Sequence, residues 1–124
     1  MAAKSTQRPN LAELTQRLVS FRDDRDWRQF QTVKNLLLSL NLEAAELLEL
    51  GQWKSDDQVE AMLGDPAFKE RLGEECADVF LYLLLICERA GIDLPTAAGR
   101  KIERNAAKYP VDKARGNARK YTKL

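Results

Sequence analysis

An all-α fold, built as a four-helix-bundle-like arrangement, is predicted by three features of the chain. Glycine and proline are sparse, six and four in 124 residues, and stand where helices should stop. Apolar residues recur at helical spacing, and no alternation of apolar and polar residues runs long enough for a strand. The length is that of one domain, enough to bury roughly two-thirds of the surface of the unfolded chain.

Each element has its own signal. Asn10, with Glu13 three residues on, is an Asn version of the capping box and opens a first helix carrying Leu11, Leu14, Leu18 and Phe21. A charged stretch, Arg22 to Asp26, leads to Trp27 and Phe30. Thr32 caps a second helix with Leu36, Leu37, Leu40, Ala44, Leu47 and Leu48, ending near Gly51. Ser55 and Gln58 cap a short third segment through Leu63. Gly64-Asp65-Pro66 is a restart signal, Asp as N-cap and Pro at the first helical position, for a helix to about Ala90 with Gly91 as its stop. Asp93 or Thr96 opens a last helix, ended by Tyr109-Pro110. The expected organisation is a flexible N-terminus over 1–9, the helical domain over 10–110, and a basic, irregular tail over 111–124.

Within the fourth segment, Val79 to Cys87 is apolar on every side of a helix. Such a helix must be enclosed all round. A chain of this size supplies too few neighbours, so part of the run is expected to pack on another subunit, making an obligate oligomer.

Charge and composition remove whole classes of function. Twenty basic against nineteen acidic residues leave a net charge of +1, which argues against a global polyanion-binding surface and against stable nucleic-acid binding. The sum hides a gradient: Glu43 to Asp78 holds eleven acids and three bases, and Lys108 to Leu124 six bases and one acid. The absence of histidine excludes Ser-His-Asp and Cys-His catalysis, His-ligated zinc and haem held by a proximal His. Cys76 and Cys87, on one helix, would stand about 16 Å apart along its axis, beyond disulfide reach. That usage fits a reducing, cytoplasmic setting. The longest apolar run, nine residues, is too short for a bilayer, and no membrane association is expected.

Two acid pairs carry the chemical signal. Five pairs of acids stand three residues apart, where composition alone predicts about three. Glu43 and Glu46 lie among leucines and alanines, however, and Glu75 and Asp78 directly precede the apolar run. Spacing of i, i+3 points each pair off one helical face. If the two faces meet, each like-charge contact at about 5 Å costs on the order of 3 kcal/mol at an effective dielectric of 20. An oxygen-only donor set then favours a hard cation, Mg²⁺ or Mn²⁺, and Mg²⁺ held this way usually completes its shell with water and substrate phosphates. The other reading of these residues is solvated helix faces paired with Lys or Arg.

At these residues the sequence resembles the MazG-type all-α nucleoside triphosphate pyrophosphatases, and within them the dCTP pyrophosphatase branch. The resemblance runs from about Leu14 to Leu124. It is carried by FRDDRDWRQFQTVKNLLLSL (21–40), LEAAELLELGQW (42–53), EECADVFLYLL (74–84) and KIERNAAKYPVDKARGNARKYTKL (101–124). It implies hydrolysis of a deoxynucleoside triphosphate between the α and β phosphates, a house-cleaning activity on dCTP or modified dCTP. Glu43, Glu46, Glu75 and Asp78 match the family's Mg²⁺ ligands, with Mn²⁺ a substitute, and Glu46 or Glu49 is the candidate proton acceptor. Trp27 and Trp53 match positions lining the base pocket, and Tyr82 a position under the deoxyribose. Lys101, Asn105 and Tyr109 match positions near the triphosphate and pocket mouth, with Lys34 and Asn35 weaker candidates. The resemblance also implies a homotetramer, a dimer of dimers, with pockets built from more than one subunit. One departure stands out: Gln31 replaces a common histidine, which leaves base preference open and dUTP or another pyrophosphate substrate as an alternative. A non-enzymatic helical interaction module, its acidic face and basic tail pairing with a partner, is the other alternative.

Overall fold

The computed structural model describes residues 7–124, so the first six residues of the expected flexible N-terminus lie outside it. Among the described residues every regular element is helical: α1 (Leu11–Asp24), α2 (Val33–Glu49), α3 (Asp56–Met62), α4 (Pro66–Ala90), α5 (Leu94–Lys108) and α6 (Val111–Ala114), with 3₁₀ turns at Arg28–Phe30 and Tyr121–Lys123. The expected all-α class is the observed one.

The helix starts follow local chemistry. Asn10 Oδ1 accepts from the Glu13 amide at 2.9 Å, while Asn10 Nδ2 donates to Glu13 Oε1 at 3.1 Å. Thr32 caps α2 by accepting from the Asn35 amide at 3.2 Å. Ser55 and Gln58 close a reciprocal capping box at the start of α3. Asp65 accepts from the Ala67 amide at 3.0 Å, so Pro66 stands at the first position of α4, where its missing N–H leaves no bond unmade. Asp93, rather than Thr96, caps α5, accepting from the Thr96 amide at 3.2 Å.

The chain divides into two compact units, the first ending at Ala90 and the second running from Gly91 to Leu124. In the first, α2 lies along α4, and α1 packs on α4 as well. Leu36, Phe68, Leu84, Leu85 and Cys87 form the buried core. The periodicity of α1 reaches one residue further than its apolar members suggest. Arg22, one turn after Leu18, is only 3% exposed, held by Asp23 and by Glu88 of α4 at 2.9 Å each. Beyond it, Asp26 takes a left-handed φ of 53°, a conformation Asp tolerates better than most residues. This reverses the chain, so that the Trp27 amide donates back to the Arg22 carbonyl at 3.1 Å. The Phe21 and Trp27 rings then meet edge to face at 5.8 Å, with the Arg25 guanidinium over Phe21.

The all-round apolar run is only partly enclosed by its own chain. Leu84, Leu85 and Cys87 are buried, whereas Phe80 remains 36% exposed. On α2, Leu37, Leu38, Leu42 and Leu48 are all more than half exposed. Cys76 is exposed and Cys87 buried, both as free thiols.

In the second unit, Gly91 takes φ 67° and ends α4, a left-handed stop that costs glycine little. The segment expected to be irregular carries instead α6 and a terminal 3₁₀ turn. Pro110, at φ −57°, is preset for helix entry, Gly116 turns the chain at φ 74°, and Asn117 Nδ2 donates to the Lys113 carbonyl at 2.9 Å. The Tyr121 ring packs edge-on against Tyr109 at 6.0 Å, with the Lys108 ammonium 4.8 Å from its centroid. Aromatic anchoring, which basic composition conceals, orders the tail.

Leu36, the buried residue of α2 and 1% exposed, sets the expectation for the core. Leu36→Ala should destabilise the fold by about 2–5 kcal/mol, read as a shift in the urea midpoint at fixed protein concentration.

Candidate functional site

The α2–α4 contact brings the two acidic faces together. Glu43 of α2 and Glu75 and Asp78 of α4 each place a carboxylate oxygen within 4.8 Å of the others. Glu43 and Glu75 are half-buried, and each has one oxygen, Oε2, buried with no hydrogen-bond partner. The Lys or Arg partners required by the solvated-face reading are missing: among the described residues the ion pairs are those of Arg22. Burial pushes the Glu43 carboxyl above its ordinary range, helped by a hydrogen bond and the charge of Glu46 and by the charges of Asp78 and Glu75. Burial likewise raises Glu75, with Glu46, Asp78, Glu74 and Glu49 adding repulsion. Buried polar atoms ordinarily find partners. Converging anionic oxygens without one suit a hard divalent cation, which supplies the missing positive charge and accepts several oxygen ligands.

Beside this cluster lies a cavity of about 240 Å³. Its walls come from α1 (Leu18, Phe21, Arg22), from the turn that follows (Trp27, Gln31), and from α4 (Asp78, Leu81, Tyr82, Leu85). Asp78 therefore belongs to both the cluster and the cavity wall. Most of the lining is apolar or aromatic, suited to a flat ring. Gln31 brings a buried Oε1 that has no partner.

The remaining sequence candidates take varied positions. Glu46 and Glu49 are exposed and act on the cluster through their charge. Trp53 stands in the turn after α2, 92% exposed and at a left-handed φ of 68°, an outlier for a bulky residue, and it is not part of the cavity wall. Lys34 is exposed at the start of α2, while Asn35 Nδ2 donates to the Phe30 carbonyl at 3.0 Å and so braces the turn behind Trp27. Lys101, Asn105 and Tyr109 belong to the second unit, the first two exposed along α5 and the third at its C-cap. Arg22, Leu18, Phe21, Leu81 and Leu85 line the cavity without having been candidates. For Arg22 a usable signal existed: it sits four residues after Leu18, on the apolar stripe of α1.

The sequence pattern of the MazG-like family matches residues 38–124, a span that includes all three carboxylates of the cluster. The chain belongs to the MazG-like family. It is 41% identical over 116 residues to dCTP pyrophosphatase 1 of Rattus norvegicus and 40% identical to that of Homo sapiens, alignments covering 94% of this chain and 68% of each relative. Its fold is similar to the crystal structure of a pyrophosphatase from Archaeoglobus fulgidus, with a TM-score of 0.76 and 40% identity over 87% of this chain and 99% of that one. The resemblance read from the motifs is thus borne out for a MazG-like chain.

The raised Glu43 and Glu75 carboxyls fix a pH dependence. The folded state holds their protons to higher pH than the unfolded chain does. Their stabilising contribution is complete below the unfolded value of about 4.3 and is lost as pH rises through the folded values. Glu43→Gln should therefore raise the metal-free Tm at about pH 8 but not at about pH 4. In the unsubstituted protein, Mg²⁺ at 100 times its Kd should add about 2.7 kcal/mol of stability. The variant should lose most of that gain, as thermal denaturation with and without the ion would register.

Proposed function

We propose that this chain is a metal-dependent nucleoside triphosphate pyrophosphohydrolase. It cleaves a deoxynucleoside triphosphate to the monophosphate and pyrophosphate, with Mg²⁺ as the ion, dCTP or a modified dCTP as preferred substrate, and nucleotide-pool house-cleaning as the role. The observation that carries this reading is the sharing of Asp78 between the carboxylate cluster and an aromatic cavity. The relatives named as dCTP pyrophosphatase 1 and the pyrophosphatase of similar fold support it.

Glu43, Glu75 and Asp78, with Glu46 adjoining, are the residues to hold the ion. When bound, the ion supplies charge neutralisation for phosphate oxygens and lowers the pKa of a water. The protein's own groups do the rest. Glu46 or Glu49, exposed beside the cluster, accepts the proton of the attacking water. Trp27 offers a flat face to the base, and Tyr82, half-buried in the wall, underlies the sugar. Lys101, Asn105, Tyr109 and Lys34 are assigned to the phosphates and the pocket mouth. Gln31 keeps a second substrate in play, because one amide offers a donor and an acceptor and so accommodates the uracil edge of dUTP as well as cytosine.

The assembly proposed is a homotetramer, a dimer of dimers joined through helices, in the cytoplasm. The exposed leucines of α2 and the partly bare Phe80 are assigned to its contact surface, since large apolar side chains left exposed in number are candidates for an interaction site. Trp53, exposed and held in a left-handed conformation, is then a residue offered to a neighbouring subunit's pocket. Among the described residues no helix is long and apolar enough to cross a membrane.

A panel of deoxynucleoside triphosphates should give Mg²⁺-dependent release of pyrophosphate, fastest with dCTP; orthophosphate as first product would overturn the proposal. Glu46→Gln should lower kcat about 100-fold or more. Leu48→Glu, placing a charge on the bare α2 face, should lower the sedimenting mass. An unchanged tetramer in that variant would remove α2 from the interface.

A further inference from the structure

Arg22 is a buried cation in the wall of the cavity, and the proposed hydrolysis gives it no part. Its Nε donates to Asp23 and its Nη1 to Glu88, both at 2.9 Å. A guanidinium carries five N–H donors. Among the described residues no acceptor engages Nη2, and the two anions keep the group charged. Asp23 and Glu88 also fix the plane of the guanidinium, which leaves its Nη2 without a protein acceptor. Across the same cavity wall, Gln31 presents the converse deficiency, a buried Oε1 acceptor with no donor.

A guanidinium edge with no protein acceptor and a buried acceptor with no donor among the described residues, both in the wall of one cavity, define the polar groups of what fills it. The occupant must bring an acceptor for Arg22 and a donor for Gln31, on a flat body that suits Phe21, Trp27 and Tyr82. A cavity of about 240 Å³ is below the usual range for sites that enclose a whole drug-sized ligand, so it takes a base rather than an entire nucleotide. A single-ring base with a ring carbonyl and an exocyclic amine meets every condition.

We infer that Arg22 is a specificity-determining residue, its free guanidinium edge donating to the O2 carbonyl of a cytosine whose amine donates to Gln31 Oε1. This rests on the pyrophosphohydrolase reading above. It assigns the carbonyl contact to a residue that composition places in a solvated charge run.

The test compares dCTP with 2-thio-dCTP, in which a sulfur that accepts hydrogen bonds poorly replaces O2. The unsubstituted protein should prefer dCTP by about tenfold or more in kcat/KM, the loss of a hydrogen bond to a charged donor. In Arg22→Met, which keeps most of the bulk, KM for dCTP should rise and the preference should fall to about one. A general loss of stability would slow both substrates alike and leave their ratio intact, so the ratio isolates the contact. If Arg22→Met does not fold, Arg22→Lys carries the same comparison: one ammonium cannot reproduce the fork that spans Asp23, Glu88 and the base, and the preference should again collapse. Full retention of the preference in the folded variant, or no preference in the unsubstituted protein, overturns the inference while leaving hydrolysis in place. Absence of turnover with every deoxynucleoside triphosphate would instead remove the pyrophosphohydrolase reading and this inference together.

Discussion

Carboxylates forced together across the α2–α4 contact are the constraint on which the rest depends. The packing of α2 along α4, with Leu36, Leu84 and Leu85 among the buried residues of the two helices, sets Glu43 against Glu75 and Asp78. Hydrophobic burial thus holds in place an arrangement that electrostatics opposes. The chain leaves two oxygens of the cluster without a donor and raises the carboxyls that bear them. A fold selected for stability alone would place a lysine there or turn the acids to solvent. The strain is of the kind that concentrates at sites of function.

The opposite solution appears about three helical turns along α4. Glu88 meets Arg22 there, and the charges of Glu88 and Asp23 are balanced by the guanidinium within the chain. Helix α4 therefore carries an uncompensated acidic end and a compensated one, with the cavity between them. The compensated end fixes the C-terminal part of α1, and with it the turn that presents Trp27 and Gln31.

Much of this was legible in the sequence because it is local. Every cap reading from Asn10 to Asp93 depends on residues within a few positions of one another, and each hydrogen bond formed as the spacing implied, with Asp93 taking the place shared with Thr96. The approach of Glu43 to Glu75 and Asp78 was one of two readings that their apolar surroundings left open, and the family motifs pointed to the same residues. Contacts between distant positions were not legible. Arg22 and Glu88 are 66 residues apart, and Arg22 stands in a run of charges that reads as a solvated turn. The tail was misjudged for a related reason: its basic composition hides the Tyr109–Tyr121 contact that orders it.

Asp78 has a thermodynamic consequence of its own. One side chain belongs to both the carboxylate cluster and the cavity wall, so under the proposed function a cation and a ring bound there would be coupled through it. Linkage requires that whatever an occupied ring pocket does to cation affinity, the cation does equally to ring affinity. Under the proposed function, discrimination among bases would reach the phosphate end as a difference in cation affinity, one coupling free energy read from either site.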